Sequence, residues 1–97
     1  MHARVNSTEW NPEKVQDGIR ITEEKIIPSY QGLPGFRGYV LLTEPGGHRA
    51  MAITMWDTKE QMDASGAVAR AMVGELRDLL RAPPTATEWD VMFNVQP

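Results

Sequence analysis

The chain has 97 residues, of which 41% are hydrophobic and 24% charged, and its formal net charge is −3. This length and composition predict a single globular domain over residues 1–97. The acidic balance argues against nucleic-acid binding, because no excess of Lys and Arg is present to neutralise phosphates. Because the chain has no cysteine, disulfides, thiolate metal sites and thiol catalysis are also excluded.

The opening segment, MHARVNSTEW, lacks the apolar core of a secretory signal peptide. No stretch approaches the roughly 20 apolar residues of a membrane-spanning helix. We therefore expect a cytoplasmic protein with no membrane partner. The two histidines, His2 and His48, are far apart and have no carboxylates at matching spacing, so we predict no metal site and no cofactor.

The first elements in the chain are a strand and a helix. Residues with β propensity fill the run Ala3–Trp10. Asn11-Pro12-Glu13 then combines a favoured N-cap, a proline suited to the first helical turn and an acidic residue that suits the helix dipole. Apolar residues at spacings of three and four follow, and Pro28 is placed to kink or end the helix. The pattern predicts a helix near residues 12–31.

A hairpin comes next and leads directly into a second helix. The β-rich runs Phe36–Thr43 and Arg49–Trp56 are separated by the turn Pro45–Gly47. Thr58, followed three residues later by Gln61, forms a capping-box pattern. Apolar spacing then predicts a helix near residues 58–81, with Gly66 marking a break in it.

The last predicted strand is Thr85–Val95, in which apolar and polar residues alternate. The element order is therefore β-α-β-β-α-β. This is the ferredoxin-like α+β plan, with a four-stranded antiparallel sheet and two helices on one face.

Strand alternation divides the sheet residues into two sets. We expect the helices to cover an aliphatic set: Val5, Val40, Leu42, Met51, Ile53, Met55, Trp89, Val91 and Phe93. The other set, expected on the uncovered face, mixes polar and aromatic residues: Arg4, Asn6, Thr8, Arg37, Tyr39, Leu41, Ala50, Ala52, Thr54, Trp56, Asp90 and Met92. A one-residue slip in register would exchange the two sets.

An uncovered face of this composition suits an interface or a partly enclosed pocket. We predict a homodimer in which two sheets face each other across the surface that carries Tyr39, Leu41 and Trp56. A ligand site would lie between this face and the helix ends. Its predicted lining residues are Asn6, Arg37, Tyr39, Trp56 and Asp90. A dimer contact or an open barrel mouth is the favoured explanation of the polar members, and a structural role at the junction of sheet and helix comes before pocket lining for Trp56.

The hairpin region resembles the antibiotic biosynthesis monooxygenase-like proteins of the dimeric α+β barrel superfamily. The similar features are Pro34-Gly35-Phe36 opening a strand, Trp56 closing the next strand, and Ser65 eight residues after Asp57. The resemblance implies a barrel formed by two chains. Members include cofactor-independent, quinone-forming monooxygenases and haem-degrading enzymes.

Carried over by position, the resemblance places Asn6 near an asparagine that haem-degrading members use, and Trp56 at a tryptophan that lines the monooxygenase pocket. The helical Trp and His of the haem degraders fall near Ser65 and Glu75 here, so the resemblance does not imply haem degradation. The polar partners expected around the tryptophan are replaced by Ala52 and Met62.

Three functions remain open from the sequence. The chain is a monooxygenase-type oxidoreductase acting on an aromatic or polyketide-like molecule, a dimer that binds an apolar or aromatic small molecule without chemistry, or a structural dimer module. The sequence offers no nucleophile, base or metal cluster that would favour the enzyme over the two non-catalytic functions.

Overall fold

The computed structural model describes Met1–Pro97 and contains the predicted antiparallel sheet. Its strands are β1 (His2–Glu9), β2 (Phe36–Thr43), β3 (Arg49–Trp56) and β4 (Thr85–Asp90), in the spatial order β2-β3-β1-β4. Every neighbouring pair is antiparallel. This order is that of a ferredoxin-like sheet, so the predicted fold class is confirmed.

The first helical segment spans residues 12–31, as predicted, but contains a π turn. A 3₁₀ turn at Pro12–Lys14 leads into α1 (Val15–Ile21), the π turn Thr22–Ile26, and α2 (Ile27–Gln31). In the π turn the Ile27 N–H donates to the carbonyl of Thr22, five residues earlier. Proline has no N–H and its ring crowds the carbonyl four residues before it, so the wider turn lets the segment continue past Pro28.

The second helical segment breaks near the predicted glycine. It consists of α3 (Lys59–Ala64), α4 (Gly66–Leu76) and a final 3₁₀ turn, Arg77–Leu79. Thr58 Oγ1 accepts a hydrogen bond from the Gln61 N–H at 3.1 Å, as the capping pattern predicts. At the break, Ser65 Oγ donates to the Met62 carbonyl oxygen at 2.6 Å and is buried. None of these helices is long and apolar enough to span a bilayer.

The last strand ends at Asp90, five residues before the predicted Val95. β4 pairs with β1, and its final pair joins Asp90 to His2. One more hydrogen bond, from the Val91 N–H to the Met1 carbonyl, completes the ladder at 2.9 Å. The residues that follow leave their large side chains exposed, with Phe93 88% accessible.

The predicted assignment of the two sheet faces is wrong: the helices cover the mixed set. Trp56 and Thr54 are 0% and 1% accessible, while Leu42 and Met51 of the aliphatic set are 48% and 40% accessible. Cross-strand pairing keeps the paired members of each predicted set together, because directly opposed residues share a face, whereas Arg37 lies unpaired in a bulge. The aliphatic strand residues therefore form the uncovered surface, here called the open face: Val5, Val40, Leu42, Met51, Ile53, Met55 and Trp89.

The core explains why the mixed set is covered. Its buried centre joins helical residues to a strand aromatic: Ile26, Tyr30, Trp56, Met62 and Leu76. The Tyr30 ring lies 6.0 Å from that of Trp56 in an edge-to-face arrangement. Large aromatic side chains bury the most apolar area, so packing the helices over Trp56 and Tyr39 removes more surface from water than covering Val40 and Leu42 would.

Candidate functional site

An open cleft of about 360 Å³ lies between α4 and the β1–β4 side of the covered face. We call it the arginine cleft. Its volume lies within the range of roughly 300–1,000 Å³ typical of small-molecule sites. Its walls combine two cationic side chains, one amide and several small residues: Arg4, Asn6, Gly66, Ala69, Arg70, Val73, Pro84, Thr85 and Ala86.

A smaller cavity of about 40 Å³, the inner cavity, lies between the sheet and the helices. It shares four wall residues with the arginine cleft, so the two spaces adjoin: Asn6, Ala69, Val73 and Pro84. The rest of its wall is largely aromatic and aliphatic: Thr8, Trp10, Thr22, Ile26, Tyr30, Tyr39, Leu41, Ala52, Met72 and Leu76. A cavity of about 40 Å³ holds about one water molecule, so the inner cavity accepts only a small group. The arginine cleft is large enough for a small molecule.

The inner cavity has two features typical of functional sites. The indole N–H of Trp10 is buried and has no hydrogen-bond partner, which is uncommon for a buried donor. The π turn supplies Thr22 and Ile26 to the wall, and π turns occur frequently at functional sites. Trp10 is held in place by close packing on Gly18, where any Cβ would clash with the indole ring. The wall is therefore well fixed and contains an unused donor.

Arg4 lies beneath the break between α3 and α4. Its Nη1 donates to Ser65 Oγ and its Nη2 to the Met62 carbonyl oxygen, both at 3.1 Å. The side chain is only 11% accessible, and its one carboxylate neighbour, Glu88, lies 3.8 Å away. Arg4 is nearly buried because strand alternation directs it to the covered face. The helix break supplies two neutral acceptors for its N–H groups there. A nearly buried cation thus borders the cleft with its charge incompletely balanced.

Two tyrosines line the inner cavity, and their hydroxyls are proton donors rather than bases. The rings of Tyr30 and Tyr39 lie 5.9 Å apart. Burial, reinforced by Tyr30, raises the pKa of Tyr39 to about 12. Burial also raises the pKa of Tyr30, and the positive charge of Arg4 opposes that rise. Both hydroxyls are protonated at neutral pH and can donate hydrogen bonds to a ligand oxygen.

The shifted pKa of Tyr39 predicts a pH-dependent loss of stability. Unfolded tyrosine ionises near pH 10, whereas folded Tyr39 keeps its proton to about pH 12. Its contribution is therefore fully present below about pH 10 and is lost as the pH rises to about 12. We expect the thermal midpoint of the native chain to fall more steeply over this interval than that of Tyr39→Phe, measured by circular dichroism. Parallel curves for the two proteins would contradict the shift.

The structure brings two of the five predicted site residues to this region. Asn6 lines both the cleft and the inner cavity, and Tyr39 lines the inner cavity. Trp56 lies in the adjacent core, fully buried, with its Nε1 donating to Thr54 Oγ1 at 3.0 Å.

The other two predicted residues lie at the surface outside both spaces. Arg37 occupies the bulge in β2, where it pairs with Asp57 at 2.6 and 2.9 Å. Asp90 Oδ1 lies 3.1 Å from His2 Nδ1, and its side chain is 76% accessible. Both residues lie on edge strands of the sheet, and the bulge removes Arg37 from the alternation that predicted its place.

Sequence reasoning missed Arg70, Tyr30 and Trp10. A helical signal was available for the first, because Gly66, Ala69, Arg70 and Val73 stand at the spacing of one helix face, and all four line the cleft. Tyr30 and Trp10 gave no such signal. They end a helix and follow a strand, and only the packing of these elements brings their rings to one cavity.

The remaining candidate positions lie in ordinary structural contacts. Ser65 is bonded to Arg4 and Met62, while Glu75 pairs with Lys25 at 3.4 Å. His48 Nε2 contacts the Arg81 guanidinium at 3.1 Å. No group of three or more His, Asp or Glu side chains is placed to hold a metal ion.

Comparison with curated proteins finds similarity to two uncharacterised proteins of Mycobacterium tuberculosis. The chain is 30% identical to Rv2558 over 95 residues and 25% identical to Rv2557 over 91 residues, in each case across 94% of its own length. It spans only 39% and 41% of those two proteins, so they are more than twice as long as the region they share with it. No protein-family model matches the sequence.

Solved structures match nearly the whole chain at low identity. The haem degrader MhuD of M. tuberculosis, solved with two haems in its active site, is 19% identical with a TM-score of 0.78, and covers 99% of this chain and 100% of its own. A monooxygenase from the ActVA-Orf6 gene of Streptomyces coelicolor, solved with nanaomycin D, is 16% identical with a TM-score of 0.74, over 99% and 91%. An antibiotic biosynthesis monooxygenase is 17% identical with a TM-score of 0.77, over 95% and 99%. The chain therefore has the antibiotic biosynthesis monooxygenase-like fold, and the predicted resemblance is confirmed at the level of fold.

Proposed function

We propose that this chain is a monooxygenase-like protein that binds an aromatic or polyketide-like small molecule in the arginine cleft. The observation that carries the proposal is a cleft of about 360 Å³ that adjoins a cavity lined by Trp10, Tyr30 and Tyr39, with Asn6 in the wall of both. The cleft has the volume for a small aromatic molecule, and the aromatic wall of the adjoining cavity suits an oxygen-bearing group at the edge of that molecule. The fold is shared with a monooxygenase solved with nanaomycin D, which supports a ligand of this class.

The activity proposed for the site is cofactor-independent oxygenation. A phenol with a free ring C–H reacts with O₂ to give a quinone and water, so that one oxygen atom enters the ring and the other leaves as water. The substrate supplies the four electrons that O₂ accepts. The chain's own groups would act by donation: the Asn6 amide and the tyrosine hydroxyls would stabilise negative charge developing on the substrate oxygen.

Binding without chemistry is the second candidate function, and one observation favours it. The titratable groups beside the inner cavity, Tyr30 and Tyr39, have pKa values raised away from neutrality, and no histidine lines the cavity or the cleft. These walls therefore contain no general acid or base with a pKa near neutral pH.

We further propose that the chain works as a homodimer assembled through the open face. This surface carries Val40, Leu42, Met51 and Trp89, each between 38% and 59% accessible. The exposed side chains of Met92, Phe93 and Val95 add to the apolar surface. Contiguous apolar surface of this kind marks interaction sites, and a self-complementary contact between two sheets covers both copies.

Substitution of Asn6 separates the two candidate functions. Native protein is incubated with a pool of aromatic metabolites that includes nanaomycin D, and retained and transformed compounds are identified by mass spectrometry. If the chain is an oxygenase, Asn6→Ala should lower kcat about 10²–10³-fold, because it removes a donor to the developing charge. We expect the Kd of the retained compound to change less than about threefold.

The control is Gln31→Ala, which removes an exposed amide at the end of α2 and should leave both quantities unchanged. Retention of a compound by native protein without any transformation would select the binding function. Equal losses of binding and turnover in Asn6→Ala would assign this residue to binding alone.

A further inference from the structure

The arginine cleft is positively charged on a chain whose net charge is −3. Two of its wall residues, Arg4 and Arg70, are cationic, and none is acidic. The cleft proposed above for an aromatic molecule should therefore favour a negatively charged ligand.

The charge of Arg4 is only weakly neutralised by the protein. Its two hydrogen bonds go to neutral acceptors, Ser65 Oγ and the Met62 carbonyl oxygen. The one nearby carboxylate, Glu88, is 3.8 Å from Arg4 Nη2 and 3.7 Å from Lys59 Nζ. Both separations exceed the 2.7–2.9 Å of a charge-assisted hydrogen bond. Lys59 already pairs with Asp63 at 3.1 Å, so Glu88 is the carboxylate left to Arg4, and it lies too far from Arg4 for a charge-assisted hydrogen bond.

Arg70 brings a second guanidinium to the same end of the cleft. It makes no ion pair with any carboxylate of the chain. A Cβ placed on Gly66 would lie 3.4 Å from Arg70 Nη1, so this guanidinium rests over the glycine that follows Ser65. Arg4 is bonded to Ser65 itself. The two cationic groups are therefore both located at the helix break.

We propose that the ligand of the arginine cleft is an aromatic acid, whose anionic group is held by Arg4 and Arg70 while its ring lies toward the inner cavity. This inference rests on the proposed function, since it specifies the class of molecule that the same cleft binds. Guanidinium groups suit a carboxylate because their N–H donors match its two oxygens. The small residues Gly66 and Ala69 leave space for the anionic group beside the helix, and the wall residues Asn6 and Val73 lead to the aromatic cavity.

The test compares two probes of equal shape, 1-hydroxy-2-naphthoate and 1-hydroxy-2-naphthamide, by isothermal titration calorimetry at pH 7.5. Native protein should bind the acid at least about tenfold more tightly than the amide. Added salt should weaken the binding of the acid and leave the binding of the amide nearly unchanged. Arg70→Gln should reduce the preference about threefold, and Arg4→Gln should abolish it. Arg20→Gln, which removes an arginine paired with Asp17 on the outside of α1, is the matched control and should keep the full preference.

Arg4→Gln also removes hydrogen bonds to the helix break and can lower the stability of the fold. Arg70 is exposed, so Arg70→Gln tests the charge of the cleft without that loss of stability. Equal affinities of native protein for acid and amide would overturn the inference and leave the proposed aromatic site intact. A preference that survives in both cleft variants would likewise overturn it. Failure of native protein to bind either probe would overturn the inference together with the aromatic site.

Discussion

Trp56→Ala is expected to lower the free energy of unfolding by about 3–5 kcal/mol. Trp56 is 0% accessible, its ring lies 5.5 Å from Phe36 and 6.0 Å from Tyr30, and its Nε1 bonds to the buried hydroxyl of Thr54. The truncation opens a cavity beneath α2 and leaves Thr54 without this partner, so both effects act in the same direction. Urea unfolding followed by circular dichroism measures the loss.

Trp89 offers a matched control, because its Nε1 bonds to Thr87 Oγ1 at 2.8 Å with the same two-residue spacing. Its side chain is 59% accessible. Trp89→Ala should lower the free energy of unfolding of the single chain by less than about 1 kcal/mol. Any further loss should depend on protein concentration, as for a residue at a dimer interface. Equal losses for the two tryptophans, independent of concentration, would show that Trp56 does not anchor the core.

The second large effect concerns assembly. Native protein should have twice the 10.9 kDa mass of the chain by light scattering at micromolar concentration, and Leu42→Asp should have the mass of one chain. Leu42 is 48% accessible in the isolated chain and shares the open face with Met51, its cross-strand neighbour. A carboxylate from each copy would be desolvated without a partner if the sheets met, which costs more than the apolar contact contributes.

Gln16→Asp is the control for this prediction, because it adds the same charge at an exposed position of α1 and should leave the dimer intact. We expect an interface above roughly 2,000 Å² in total, the size of obligate contacts. A monomer mass for the native chain would contradict the dimer, and a dimer that tolerates Leu42→Asp would place the interface elsewhere.

Local sequence signals determined the elements and most of their limits. β2 and β3 occupy the predicted runs Phe36–Thr43 and Arg49–Trp56. The helical segments begin where capping residues and Pro12 indicate, and the second breaks beside Gly66. These features depend on residues close together in the chain, whose backbone preferences and hydrogen bonds need no tertiary partner. The order of the elements then restricts the sheet to a few arrangements, of which the observed one is the ferredoxin-like order.

The candidate site was predicted only in part. Alternation placed Asn6 and Tyr39 on one strand face, and both border the cavity. Arg37 and Asp90 belong to the same predicted set, but both lie at the surface, where Arg37 pairs with Asp57 and Asp90 contacts His2. Arg70 and Trp10 come from a helix and a strand end, and no pattern in the chain links them to Asn6. Helical spacing groups Arg70 with Gly66, Ala69 and Val73, but only long-range packing brings that helix face and Trp10 to Asn6.

The choice of covered face was decided by the tertiary structure alone. A period of two separates the strand residues into sets but does not state which set the helices cover. The aliphatic set looked like a core by composition, yet the helices pack on Trp56 and Tyr39, where more apolar area is buried. Arg4 tolerates this because two of its N–H groups donate to Ser65 Oγ and to the Met62 carbonyl, 58 or more residues away. The sequence by itself determined which residues share a face, and only the packing of the helices decided which face became the cleft and which was left for a partner.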